Sequence, residues 1–172
     1  KTRGIAAHVV VPEGAVAAKV NAIRAYGATV HVCAPTLDAR DEAAARIARE
    51  TGAVLVHPFT NENVIAGQGT AALELLRETG ELDALTAPIG GGGLIGGSAI
   101  AAKGVFPQIR IFAAEPEGAA DAFESLRRGV RVTDIEPATI CEGLLATFDG
   151  INFTLLHEYG IEVLPVSDAQ TI

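Results

Sequence analysis

Short apolar runs alternate with longer helix-like segments along nearly the whole of this 172-residue chain. The runs are rich in Val, Ile and Leu and have the length of strands, while the segments between them carry apolar residues at the spacing of amphipathic helices. This alternation predicts an α/β fold in which crossover helices join parallel strands. The predicted strands lie at 7–11, 29–33, 54–56, 83–89, 109–114 and 161–166.

The charge balance narrows the classes of partner. The chain has a net charge of −8, which repels the phosphates of nucleic acids and anionic lipid surfaces. No stretch reaches the roughly 18 uninterrupted apolar residues of a membrane span. Cys33 and Cys141 lack the spacing of metal ligands and are expected to be free thiols. We therefore expect a cytoplasmic protein that binds neither nucleic acid nor membrane.

The strand and helix alternation is interrupted once, in the Pro- and Asn-containing stretch that follows residue 56. We therefore predict two parts, residues 1–59 and residues 60–172. The chain opens just before its first strand and closes on Ser167 and Asp168, which begin a helix with no apolar face to bury. We expect it to be an internal fragment of a longer protein.

A run of four glycines joins a predicted strand to a predicted helix, in the segment PIGGGGLIGG at 88–97. Glycines expose successive backbone N–H groups, and the positive end of the following helix adds to them, so the loop can hold a phosphate. A tight strand-to-helix turn would look the same. A dinucleotide fold is a further alternative, because Gly91, Gly93 and Gly96 have the G-x-G-x-x-G spacing and Glu115 follows the next strand.

Five segments together resemble, in family order, the fold-type-II pyridoxal-phosphate (PLP) enzymes that include the serine/threonine dehydratases (threonine ammonia-lyases) and serine racemases. They are AYGA at 25–28, HPF at 57–59, VIAGQGT at 64–70, PIGGGGL at 88–94 and TICEG at 139–143. The resemblance runs almost end to end. It implies the tryptophan-synthase-β-like fold, with 1–59 in the small lobe and 60–172 in the large PLP-binding lobe.

The resemblance also implies a cofactor site. In that family the glycine loop binds the PLP phosphate through backbone amides, which corresponds here to Gly90, Gly91, Gly92 and Gly93, with Leu94 completing the loop. The segment containing Glu142 and Gly143 would lie beside the cofactor ring. Cys141 departs from the family pattern, because a smaller residue such as Ala is expected there, although a thiol is small enough to fit.

The segment from Glu115 to Asp121 carries several acidic groups at a strand end. Carboxylates and a backbone carbonyl suit a hard divalent cation, while acidic residues at a helix start are also favoured by the helix dipole alone. The resemblance implies a Mg or Ca site made by Glu115, the carbonyl of Ala119, and Asp121.

Arg40 lies early in the helix predicted at 38–51 and would ordinarily be a solvated surface residue. The resemblance to the racemases implies that it faces the active-site cleft, where a guanidinium can bind a substrate carboxylate through two hydrogen bonds. The four histidines have no metal-like spacing and are expected to be structural: His8, His31, His57 and His157.

The family's Schiff-base lysine lies in a Ser-x-Lys-x-Arg-Gly-like run, and none of Lys1, Lys19 and Lys103 stands in such a run. We therefore expect no catalytic residue in this chain, which should be inactive alone. The resemblance implies an oligomeric parent enzyme, a dimer or tetramer, that converts L-threonine or L-serine to a 2-oxo acid and ammonia. A serine racemase is one alternative, and a non-catalytic phosphate- or nucleotide-binding module is another.

Overall fold

The computed structural model describes residues 3–172, apart from the side chain of Leu37. The chain divides into two compact units, Lys1–Val56 and His57–Ile172. Each is an α/β unit whose strands are all parallel. The predicted α/β class and parallel pairing are confirmed, whereas the assignment of the units to the two lobes of an enzyme stays a prediction.

The first unit consists of two strands and two helices in alternation: β1 (His8–Pro12), α1 (Ala17–Ala25), β2 (Thr29–Cys33) and α2 (Leu37–Thr51). The strands pair in register from His8 opposite Thr29 to Pro12 opposite Cys33. Helix α2 starts where Thr36 accepts a hydrogen bond from the N–H of Ala39, and it ends at Gly52, whose positive φ of 71° suits glycine.

The predicted strand at 54–56 is wrong. Val54, Leu55 and Val56 are exposed, Val54 to 86%, and they pair with no strand among the residues described. A short apolar run becomes a strand only if a neighbouring edge supplies hydrogen-bond partners, and composition does not reveal that neighbour.

The second unit is built on a three-stranded parallel sheet of order β3-β4-β5. Its elements are α3 (Glu62–Thr79), β3 (Ala84–Pro88), α4 (Gly93–Val105), β4 (Arg110–Pro116), α5 (Asp121–Arg128), α6 (Gly150–Glu158), β5 (Glu162–Val166) and α7 (Asp168–Thr171). Short 3₁₀ turns at Glu117–Ala119 and Glu142–Leu144 lie in the connections. Helix α7 starts after Ser167, as the sequence predicted, and Oε1 of Gln170 accepts hydrogen bonds from the N–H and the hydroxyl of Ser167.

Helices α3 and α4 pack with their backbones in contact. A Cβ added to Gly69 would lie 2.5 Å from the carbonyl oxygen of Gly97, and one added to Gly97 would lie 2.8 Å from the backbone nitrogen of Gly69. Since both positions are also buried, glycine is required at each. Gly67, on the same helix as Gly69, faces open space.

The core of the second unit lies between the sheet and the helices, where Ile95, Ile111 and Leu156 are almost completely buried. Within the residues described, no helix combines the length and the apolar character needed to cross a membrane.

Candidate functional site

A cavity of about 250 Å³ lies where β3 ends and α4 begins. In a parallel α/β sheet the carboxyl ends of the strands share one edge, which is the usual place for a ligand. The glycine loop forms one wall, and residues from two other segments complete it. The lining residues are Pro58, Phe59, Gln68, Pro88, Gly90, Gly91, Gly92, Gly93, Leu94, Gly143 and Leu144.

The glycine loop presents unpaired donors. Of the groups that the structure describes, none accepts a hydrogen bond from the backbone N–H groups of residues 90–95. Helix α4 begins at Gly93, so its positive end adds to these donors. An anion with several acceptor oxygens, such as a phosphate monoester, matches this arrangement.

Close packing explains why the loop consists of glycines. A Cβ on Gly91 would lie within 2.7 Å of the Phe59 ring, and one on Gly92 would lie 2.7 Å from the Cβ of Asn152. Gly92 also has a φ of 90°, which side chains other than glycine rarely adopt. A side chain is therefore excluded at both positions, and both residues line the cavity.

The 3₁₀ turn Glu142–Leu144 contributes to the same cavity. Gly143 and Leu144 line it, while the side chain of Glu142 is exposed. The turn is anchored by Thr139, which donates to the carboxylate of Asp168 and accepts a hydrogen bond from the N–H of Cys141. The structure thus brings Gly143 to the glycine loop, and the roles predicted for Glu142 and Gly143 beside a cofactor ring stay predictions.

Glu115 is a buried carboxyl group, 1% exposed, at the end of β4. Its two oxygens accept hydrogen bonds of 2.8 Å from the N–H groups of Ala122 and Phe123 at the start of α5. Burial raises the pKa of Glu115 to about 7, against the lowering effect of these two bonds, and the charge of Asp121 raises the pKa further.

Asp121 is buried in the same region, and its Oδ2 accepts a hydrogen bond of 3.0 Å from the N–H of Phe148. Burial raises the pKa of Asp121 as well, although that bond and the nearby charge of Arg131 lower it. Two neighbouring carboxyl groups held out of water suit a hard cation, which would stabilise their ionised forms.

Other observations do not complete a metal centre. Ala119 is buried at the end of its 3₁₀ turn, but both oxygens of Glu115 are engaged by backbone N–H groups. Among residues 3–172, no group of three or more His, Cys, Asp or Glu side chains is arranged to hold a metal ion. The predicted site of Glu115, the Ala119 carbonyl and Asp121 stays a prediction.

The remaining candidates belong to the other unit or have structural partners. Arg40 is half-buried in α2 of the first unit, and its binding of a substrate carboxylate stays a prediction. The Nζ of Lys103 donates to the carbonyl of Ile109, at the far end of α4 from the loop. Lys19 belongs to α1 of the first unit, and Lys1 lies outside the described residues.

Each of the four histidines has a hydrogen bond or a ring contact with a neighbouring residue. His8 and His31 share a hydrogen bond of 3.0 Å between their rings. His57 accepts hydrogen bonds at Nδ1 from the N–H groups of Phe59 and Thr60, and His157 meets the ring of Phe153 edge-on.

The sequence reasoning assigned no site role to several residues that line or support the cavity. Phe59 and Gln68 lie in segments that it singled out, but it assigned no site role to them. Asn152, which packs behind the loop, is a polar residue between Ile151 and Phe153. Its position inside an apolar stretch of α6 was the signal that could have found it.

Comparison with known proteins gives the class of this chain. The profile of the family "Pyridoxal-phosphate dependent enzyme" matches residues 1–172. A serine racemase of Oryza sativa subsp. indica is 43% identical over 168 residues, which are 98% of this chain and 50% of that protein. A beta-hydroxyaspartate dehydratase of Paracoccus denitrificans (strain Pd 1222) is 39% identical over 170 residues, 99% of this chain and 54% of the relative.

Solved structures agree with this. Maize serine racemase has a TM-score of 0.94 at 40% identity, covering 98% of this chain and 51% of that one. The serine racemase of Dictyostelium discoideum has a TM-score of 0.87 at 43% identity, and the match covers 98% of this chain and 54% of that one. A solved threonine deaminase also has a TM-score of 0.87, at 39% identity, and the match covers 98% of this chain and 56% of that one.

The chain therefore belongs to the pyridoxal-phosphate-dependent enzyme family, with the parallel α/β architecture of fold type II. It spans about half the length of the curated relatives it matches. The glycine loop fits the phosphate of that family's cofactor, because its N–H groups are unpaired and its four glycines place no side chain in the cavity that they line.

Proposed function

We propose that this chain supplies the cofactor-phosphate site of an ammonia-lyase that converts L-serine or L-threonine to a 2-oxo acid and ammonia. The observation that carries the proposal is the row of unpaired N–H groups at residues 90–94, which line the cavity. The reaction class is supported by the names of the relatives, since serine, threonine and 3-hydroxyaspartate are all 3-hydroxy amino acids.

In this proposal the backbone N–H groups of Gly90, Gly91, Gly92 and Gly93 hold the phosphate, together with the N–H of Leu94. The positive end of α4 compensates the phosphate charge. Phe59 and Leu144 exclude water from the two sides of the loop, and Gly143 leaves room for the cofactor ring. Bound PLP supplies an electron-withdrawing ring that stabilises negative charge on the substrate α-carbon. We assign no proton-transferring base to this chain.

Serine racemization is the second candidate, because serine racemases are among the relatives that are 43% identical over almost the whole chain. The two reactions use the same cofactor and begin with loss of the α-proton, so the phosphate site serves either.

The test is an assay of the full-length protein with PLP and L-serine or L-threonine. We expect release of pyruvate or 2-oxobutanoate with equimolar ammonia. D-serine formed without 2-oxo acid would instead establish the racemase. Adenine-nucleotide binding with no effect of PLP would indicate a non-catalytic module. The 172-residue chain assayed alone should release no 2-oxo acid, because none of its lysines lies in the family's lysine run.

We also propose that Glu115, the Ala119 carbonyl and Asp121 bind Mg or Ca. Saturating Ca²⁺ should raise the melting temperature of the full-length protein by a few degrees, since a ligand stabilises the state that binds it. Asp121→Asn, which keeps the shape of the side chain but removes its charge, should lose this shift. Glu124→Gln is the matched control, because Glu124 is a carboxylate of the same helix that pairs at the surface with Arg127 and Arg128. Equal shifts in wild type and Asp121→Asn would remove the proposed site.

A further inference from the structure

Asn152 lies behind the glycine loop, in the first turn of α6, and is 1% exposed. Its side-chain Nδ2 is within hydrogen-bond distance of acceptors in three different segments. The distances are 2.7 Å to the carbonyl oxygen of Gly91, 2.9 Å to that of Phe59 and 3.1 Å to Oδ1 of Asp149. A single buried amide thus connects the glycine loop, the segment before α3 and the N-cap of α6.

The bond to Gly91 fixes the orientation of one peptide group. In a trans peptide the carbonyl and the following N–H point in opposite directions. Because the Gly91 carbonyl points back to Asn152, the N–H of Gly92 points away from Asn152. Gly92 is also one of the residues that line the cavity. The Asn152 side chain also packs directly against Gly92, which leaves that peptide little room to rotate.

The oxygen of the same amide indicates that asparagine is present for the hydrogen bonds that its NH₂ group donates. Asn152 Oδ1 is buried and has no hydrogen-bond partner among the residues that the structure describes. An unpaired buried acceptor destabilises the folded state. An apolar residue of similar shape, such as leucine, would fill the space without that cost, so packing alone does not explain an asparagine at this position.

We infer that Asn152 is a positioning residue for cofactor phosphate binding: by holding the carbonyls of Gly91 and Phe59, it keeps the N–H of Gly92 directed at the phosphate. This inference rests on the proposed function of the glycine loop. It assigns to α6, distant in sequence from the loop, a part in the affinity for the phosphate group.

The test compares two probes on the full-length protein: pyridoxine 5′-phosphate, which lacks the aldehyde and forms no covalent bond to a lysine, and pyridoxine, which also lacks the phosphate. The ratio of their dissociation constants measures the phosphate contribution. Asn152→Leu should reduce that ratio about tenfold, through weaker binding of the phosphorylated probe alone. In ¹⁵N-labelled protein, the Gly92 amide resonance should shift on addition of pyridoxine 5′-phosphate in wild type and lose most of that shift in the variant.

Leu156→Ala is the matched control, because Leu156 is a buried core residue one turn further along α6. It should lower stability while keeping the ratio and the Gly92 shift. If Asn152→Leu does not fold, Asn152→Asp, which has the same shape but cannot donate when ionised, is used in its place. An unchanged ratio in the Asn152 variant, or an equal loss in Leu156→Ala, would overturn the inference alone. Failure of wild type to bind pyridoxine 5′-phosphate would overturn the proposed function and this inference with it.

Discussion

Gly97→Ala is expected to lower the free energy of unfolding by about 3 kcal/mol or more. The added methyl would meet the backbone nitrogen of Gly69 at 2.8 Å and would lie closer still to the carbonyl oxygen of Ile65. Both are backbone atoms of α3, so they cannot move aside as a flexible side chain does. The helices would have to separate, with loss of packing along their whole contact. Urea unfolding monitored by circular dichroism measures the change.

Gly104→Ala is the control for this prediction. Gly104 lies in the same helix, and an added Cβ there meets nothing within 4 Å. Alanine should therefore stabilise α4 slightly, by up to about 1 kcal/mol, because it restricts the unfolded chain. Gly69→Ala and Gly67→Ala should repeat the contrast on α3, since Gly69 is in contact and Gly67 is not. Similar losses at contacting and open positions would show that helix propensity, rather than packing, is being measured.

The free energy of unfolding should fall by about 3 kcal/mol as the pH rises from about 4.5 to above 7 in metal-free buffer, through Glu115 alone. Burial raises the pKa of Glu115 from 4.5 to about 7, so between these values the folded state binds the proton more tightly than the unfolded state. The resulting stability is fully present below pH 4.5 and is lost as the pH passes 7. Asp121, whose pKa is also raised, acts in the same direction.

Glu115→Gln isolates this effect, because its amide stays neutral at every pH. The variant should be less stable than wild type at pH 4.5, since an NH₂ group replaces one acceptor of the N–H groups of Ala122 and Phe123. The difference in the free energy of unfolding between the two proteins should become smaller as the pH rises to 8. Chemical denaturation of both proteins at several pH values measures it. If the difference in the free energy of unfolding increases with pH instead, the two backbone hydrogen bonds outweigh burial and the pKa of Glu115 is lowered.

The fold was predictable because the spacing of apolar residues and the positions of helix-ending glycines indicate the same elements in this chain. The strand at 29–33 was predicted with its observed ends, and Gly52 ends α2 as a C-cap glycine should. The failure at 54–56 has a physical cause, since pairing depends on a partner strand that the local sequence does not contain. Gly69 and Gly67 looked alike in sequence, yet only Gly69 meets another helix.

The unpaired N–H groups of the glycine loop were predictable from the sequence, while their binding of a phosphate stays a prediction. Four consecutive glycines carry no side chains that could cover their N–H groups, and the structure leaves those groups unpaired by any group it describes. Contributions that depend on tertiary contacts were not predictable: Asn152 reaches the carbonyl of Gly91 across 61 positions of sequence. The engagement of both Glu115 oxygens by the N–H groups of α5 is likewise invisible in a list of acidic residues.

The backbone contact between α3 and α4 has a consequence for ligand binding. The segment containing Phe59 leads into α3, and the glycine loop leads into α4, so two walls of the cavity are attached to helices that cannot slide past each other. The cavity is therefore preorganised: a phosphate that enters it orders little of the chain, and little conformational entropy is lost on binding. Under the proposed function, adjustment to different amino-acid substrates would come from segments outside this helix pair, so substrate preference would be able to diverge while the phosphate site stays the same.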